Sequence, residues 1–147
     1  MILIHYRDME ILGVSPEFFA LWLGELCKSK DMVLGELSLV FCSDDALLEV
    51  NREYLSHDYY TDIITFDYTM GSVVSGDLMI SVDRVRDNAK ELNEMFHVEL
   101  LRVVAHGVLH LLGYSDKSES EEKEMRNQES LALGLVSRET LESLKEL

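Results

Sequence analysis

Two histidines four residues apart, His106 and His110, lie in the segment 97–116, HVELLRVVAHGVLHLLGYSD. On an α-helix that spacing puts both imidazoles on one face, with Cβ atoms about 5–6 Å apart. Two ring nitrogens so placed can meet one metal ion. Gly113 follows three residues after His110, where glycine readily takes the left-handed conformation that ends a helix and turns the chain. Asp116 then falls where the returning chain can bring a carboxylate oxygen to the same ion. The string reads HxxxHxxGxxD, a helix–turn layout shared with the zinc sites of one class of proteases. The plainer alternative is a pair of core histidines, each satisfied by its own partner. Leu100, Leu101, Val103, Val104, Val108, Leu109, Leu111 and Leu112 make this helix apolar nearly all round, so burying two imidazoles in it carries a desolvation cost that a shared ion offsets. For Asp116 the alternative is an exposed loop carboxylate beside Lys117 and Glu119.

Gly107 limits what such an ion can do. Helix-borne zinc proteases carry glutamate directly after the first histidine as the general base, and here that slot is glycine. Peptide hydrolysis by that route lacks its base. Phosphodiester cleavage draws more on charge stabilisation by the ion itself.

The elements that must carry these residues are legible from hydrophobic spacing. Residues 2–7 (ILIHYR) read as a strand. Ser15-Pro16-Glu17 supplies an N-cap with proline at the first helical position, and Phe18, Phe19, Trp22, Leu23 and Leu26 follow at helical spacing. That aromatic group reads as core packing rather than a surface for bases. Residues 32–42 alternate as a strand with Leu37, Leu39 and Phe41 on one face. Ser43-Asp44-Asp45 caps a second helix carrying Leu47, Leu48, Val50 and Tyr54. Strands at 62–68 and 76–83 come next, and everything after about residue 84 reads as helix, broken near 94 and at Gly113. The acidic run Glu119, Glu121, Glu122 and Glu124 reads as the first turn and solvated face of the last helix, with Met125, Leu131 and Leu133 as its apolar side. This order predicts an α+β fold: one domain over 1–147, a mixed four-stranded sheet with helices packed on it, and the metal site on a buried helix in the C-terminal half.

Length and composition agree. At 147 residues, with 47% hydrophobic and 28% charged residues, the chain suits a single globular core that needs no disulfide staples. Cys27 and Cys42 sit in apolar runs and read as free buried thiols, with a single disulfide as the alternative. The N-terminal stretch MILIHYRDMEIL lacks a basic n-region, and no run approaches the ~18 apolar residues of a membrane span; the expected location is the cytoplasm. With 28 acidic and 13 basic residues, the net charge is -15. A broad basic surface for nucleic acid is excluded.

Beyond these spacings, the runs HGVLHLLGY (106–114), TDIITFDY (61–68) and GDLMIS (76–81), with SDDALLEVNREY (43–54) before them, resemble the YbeY family of bacterial endoribonucleases. The resemblance extends over about residues 35–130. It implies a single-strand-specific, metal-dependent endoribonuclease acting in maturation of the 3′ end of small-subunit ribosomal RNA and in late-stage ribosome quality control. It implies one divalent ion, zinc by preference, and as partners ribosomal RNA, the small subunit, a ribosomal protein and an assembly GTPase, with no membrane. The family's ligands are the two helix histidines and a third histidine in a GYDH segment. By position these fall on His106, His110 and Asp116, with Ser115 where the family usually has aspartate. Aspartate is an acceptable zinc ligand, and its charge makes water on the ion less acidic than three histidines would.

A second departure concerns substrate binding. The family commonly carries an arginine directly after the tyrosine of the NREY-like segment, and here that position is Leu55. Arg52 and His57 are stand-ins or ordinary solvated surface. Arg102, one turn before His106, is the nearest candidate cation for a phosphate, with a snorkelling surface side chain as its alternative. Thr61 and Asp62 read as the residues that start their strand and bind backbone at its entry, with a catalytic role as the alternative. Together with the ion, a few of Arg52, Arg84, Arg86, Lys90 and Arg102 are expected to form a local RNA-facing patch on an acidic body. The competing function is a metal-stabilised ribosome-assembly factor that cuts little; a metalloprotease is disfavoured by Gly107.

Overall fold

A computed structural model describes residues 1–147. The elements are β1 (Ile2–Arg7), α1 (Pro16–Lys28), β2 (Val33–Cys42), α2 (Asp44–Leu55), β3 (Ile63–Asp67), β4 (Val73–Ser81), α3 (Val82–Glu91), α4 (Phe96–Leu111), α5 (Glu119–Leu133) and α6 (Arg138–Ser143). The four strands form one sheet in the order β1-β2-β4-β3. β1, β2 and β4 run parallel, and β3 returns antiparallel to β4 along one edge. This is the mixed α+β sheet expected from the order of elements.

Alternation along the strands divides the core in two. Leu37, Leu39 and Phe41 of β2, with Leu78 and Ile80 of β4, join Phe19, Trp22 and Leu23 of α1 and Leu100, Val104 and Leu109 of α4 in the larger cluster. On the opposite face Ile64 packs with Ala46, Leu47 and Val50 of α2. Trp22 is core, and its Nε1–H donates to the Ala132 carbonyl at 2.8 Å, which ties α1 to the end of α5. Cys27 and Cys42 are free and buried. Burial pushes both thiols up to about 11, so neither is a nucleophile near neutrality.

Local capping sets the boundaries. Ser15, Ser43, Ser81 and Ser118 each accept a backbone N–H from three residues on. Ser118 and Glu121 complete a reciprocal capping box that fixes the start of α5. The cap at Ser81 corrects the expected strand at 76–83: the strand is Val73–Ser81, and Val82 and Asp83 already belong to α3. On α5 the apolar side is Met125 and Ala132, whereas Leu131 is exposed.

α4 lies on the β3–β4 edge of the sheet, and small residues let it come close. A Cβ on Gly107 would stand 2.7 Å from Ile63 Cδ1 and 2.9 Å from Leu78 Cδ2. A Cβ on Gly76 would stand 2.5 Å from the Phe66 carbonyl and 3.0 Å from Leu111. Glycine at 107 is therefore a packing requirement. A glutamate there would point into the sheet, not into solvent.

Candidate metal centre

α4 carries His106 and His110 on its one partly open side, their side chains 21% and 29% exposed. Gly113, at φ +102, then turns the chain, with the Tyr114 N–H bonding back to the Leu109 carbonyl at 3.0 Å. That turn delivers Asp116. The Nε2 atoms of the two histidines stand 3.0 Å apart, and Asp116 Oδ2 lies 3.3 Å from His106 Nε2 and 3.5 Å from His110 Nε2. The structure thus brings together the three residues singled out in the sequence as one group able to hold a metal ion.

The far side of each ring decides what these atoms can do. His106 Nδ1 is 2.7 Å from Glu129 Oε2, and His110 Nδ1 is 2.9 Å from the Tyr114 carbonyl. Burial would raise the Glu129 pKa, but the bonds from His106 and Arg102 outweigh it and hold the carboxyl below its usual range. Glu129 is then a carboxylate, and a carbonyl accepts only, so both Nδ1 atoms are donors. This assignment follows from the hydrogen-bond network. In neutral rings both Nε2 atoms then present lone pairs, and Asp116 adds a third acceptor. Three acceptors so placed make an arrangement that a cation satisfies. Their separations of 3.0, 3.3 and 3.5 Å match the ~3.3 Å edge of a tetrahedron with ligand bonds of 2.0–2.1 Å. The donor set fits a divalent ion with a fourth position left open.

Behind His106 lies a buried ionic cluster. Arg102 Nη1 donates to Glu129 Oε1 at 2.8 Å and Arg102 Nε to Glu99 Oε1 at 2.7 Å, with a second guanidinium contact to Glu99. Glu99 and Glu129 are both 1% exposed. Burial disfavours the charged guanidinium, but the two carboxylates overcome this and keep Arg102 protonated well beyond its ordinary range. Arg102 was expected as a phosphate-binding cation. Instead, both its faces are engaged by carboxylates, and it supports His106 from behind through Glu129. Glu129 itself was missed. Its signal is a charge on the apolar side of α5, four residues after Met125 and three before Ala132, where an acid implies a buried partner.

In front of the ligands lies a cleft of about 480 Å³, lined by Thr61, Asp62, Ile63, Thr65, Asp67, His106, His110, Leu111 and Asp116. Ile63, Thr65 and Asp67 are alternate residues of the edge strand β3, so its pleat turns one row of side chains to the ion site. Thr61 and Asp62 precede the strand and also line the cleft, beyond the backbone role expected of them. Asp62 Oδ2 accepts from Asn88 Nδ2 at 3.2 Å. Leu55 is 41% exposed and stands outside this lining. Three members of the expected basic patch are paired with carboxylates, Arg52 with Asp58, Arg84 with Asp44 and Arg102 with Glu99 and Glu129, and Arg86 stacks over Phe96 at 4.1 Å.

A mixed sheet with a His/His/Asp group able to hold a cation beside its edge strand is the layout of a hydrolase-like domain. Residues 16–136 match the family model described as Endoribonuclease YbeY. A curated Endoribonuclease YbeY from Phocaeicola vulgatus is 51% identical over 79% of this chain and 84% of its own. One from Parabacteroides distasonis is 43% identical over 90% and 94%. The fold is similar to the solution structure of a Thermotoga maritima protein, with a TM-score of 0.70 and 28% identity, over 99% of this chain and 96% of that one. The chain belongs to the YbeY endoribonuclease family, hydrolases that cleave RNA phosphodiester bonds. No helix is long and apolar enough to cross a membrane.

Proposed function

We propose that the protein is a single-strand-specific, metal-dependent endoribonuclease whose ion, zinc by preference, is held by His106, His110 and Asp116. The observation that carries this reading is the convergence of His106 Nε2, His110 Nε2 and Asp116 Oδ2 at 3.0–3.5 Å from one another. A bound divalent ion would supply positive charge at the phosphodiester and acidify water beside it. The chain's own contribution is to fix the ligands. Glu129 and the Tyr114 carbonyl lock both imidazoles in the Nδ1–H form, which keeps each Nε2 free. Thr61 and Thr65 place hydroxyls along the cleft wall, where a sugar or a water can be oriented. Asp62, Asp67 and Asp116 make the cleft repel a polyanion until a cation is bound, so substrate binding and metal binding are coupled. Gly107 leaves no side-chain base on the helix, consistent with phosphodiester rather than peptide hydrolysis.

By the family resemblance the substrate is the 3′ region of small-subunit ribosomal RNA, cut during maturation and late-stage quality control in the cytoplasm, with a ribosomal protein and an assembly GTPase as partners. The test is cleavage of single-stranded RNA by metal-loaded protein, with chelator and with His110→Ala. Activity that survives both treatments rules the site out, and elemental analysis of wild type against His106→Ala identifies the ion. One observation favours a second reading. Leu55 occupies the family's arginine position and Arg102 is committed to carboxylates, so few free cations face the cleft. An assembly factor that cuts little would lose thermal stability on chelation, still co-sediment with the small subunit, and leave RNA intact when metal-replete.

A further inference from the structure

Two successive tyrosines, Tyr59 and Tyr60, lie in the loop between α2 and β3, immediately before Thr61 and Asp62 of the cleft lining. The two residues are 55% and 49% exposed. Two large exposed aromatics next to a cleft form the kind of surface that marks a binding site. The rings are not loose. Asn51, 1% exposed, donates from Nδ2 to the Tyr59 carbonyl at 2.9 Å. The Tyr59 hydroxyl meets His57 Nδ1 at 2.9 Å and the two rings stack at 5.1 Å. The Tyr60 hydroxyl donates to Asp45 at 3.1 Å, and the Arg84 guanidinium sits 5.4 Å from its ring centroid. Rings held in this way lose little conformational freedom when a flat partner is added.

We propose that Tyr59 and Tyr60 form a stacking platform that receives the bases of single-stranded RNA at the entrance of the metal cleft. The proposal rests on the reading of the protein as an RNA-cutting enzyme and adds how it takes hold of its substrate. Charge arithmetic favours stacking here. The body carries a net charge of -15, Arg52 and Arg84 beside this loop already pair with Asp58 and Asp44, and Asp62 and Asp67 lie just inside. Phosphate contacts are thus scarce away from the ion, while every base has a π-face that an aromatic can take without reading its sequence. A paired duplex hides those faces, so the platform also selects for single strands. Continuity with the cleft favours RNA over a protein partner as the occupant.

The test is fluorescence anisotropy of a labelled, non-cleavable 2′-O-methyl RNA of about 12 nucleotides with the full chain, metal-loaded and chelated. Replacing both tyrosines (Tyr59→Ala with Tyr60→Ala) should weaken binding by about tenfold or more, given the roughly 5- to 150-fold typical of losing one stacked base. Replacing both by phenylalanine should restore affinity to within about threefold, since the ring and not the hydroxyl does the stacking. Tyr68→Ala, an exposed tyrosine beyond the other end of β3, should change it by less than about twofold. If the alanine variant does not fold, Tyr60→Trp supplies a second readout: single-stranded RNA quenches the new indole and duplex RNA does not. Unchanged affinity in the folded alanine variant, or no quenching, overturns the proposal and makes the rings a protein-facing patch. A parallel chelator-controlled cleavage assay separates the two readings: RNA bound through the tyrosines but never cut would remove the nuclease and leave the platform.

Discussion

The two histidines of the candidate centre share a helix and a face, but are held from behind by unlike means. His106 leans on a side chain, Glu129, from a helix that begins after His110 and Asp116, and Glu129 is in turn held by Arg102, which also bonds Glu99. His110 leans on a main-chain carbonyl four residues ahead, delivered by the turn at Gly113. One support is a buried ionic relay between two helices and can be removed by a single substitution. The other is a consequence of chain direction, insensitive to most side chains. The lesson is that half of the metal centre depends on tertiary packing, while the other half is complete within one helix and its turn.

Removing the cation of the relay should have the largest effect. Arg102→Ala leaves Glu99 buried without a counter-charge, while Glu129 keeps Arg126 at 3.2 Å and His106 at 2.7 Å, and should destabilise the protein by about 3–5 kcal/mol, read from chemical denaturation; a change below ~1 kcal/mol would show that the relay is not the structural half of the centre. Next comes Glu129→Gln, which keeps an acceptor near His106 but loses the charge. Outer-shell changes of this kind typically reduce metal affinity about 10- to 100-fold, measurable by competition with a chromogenic chelator, and the thermal shift on metal addition should shrink with it. Gly113→Ala attacks the other support: a Cβ at φ +102 is strained by roughly 1–2 kcal/mol and should shift the Tyr114 carbonyl, loosening His110 while leaving the relay intact. The smallest effect belongs to Tyr114→Phe, which preserves the carbonyl and should leave metal affinity within about twofold. Equal losses in the Glu129 and Tyr114 variants would erase the distinction between the two supports.

The same division explains how much was legible in the sequence. His106, His110, Gly113 and Asp116 fall within one helix and one turn, so their meeting follows from 3.6 residues per turn and a left-handed glycine. The four-stranded mixed sheet was readable because Leu37, Leu39 and Phe41 alternate and because Ser15 and Ser43 mark where helices interrupt the strands. Glu129 meets His106 across 23 residues and Arg102 across 27, and no local periodicity encodes the packing of α5 on α4. Arg102 was misjudged for that reason: from the sequence it is a cation near the ligands, and only the docked α5 shows which way it is turned. Gly107 was legible as a missing base but not as a contact with Ile63 and Leu78, because β3 and α4 are distant along the chain.

All three ligands lie within eleven consecutive positions, from His106 to Asp116. The loop that must close around the cation is therefore short, and little chain entropy opposes it. In kinetic terms the ion site has low contact order and can assemble as soon as α4 and its turn exist, before α5 has been made or docked. The nascent chain would then acquire its cation early and weakly, and tighten its hold when Glu129 arrives. Docking of α5, rather than formation of the His106–His110–Asp116 group, would then be the step that commits the protein to a bound cation.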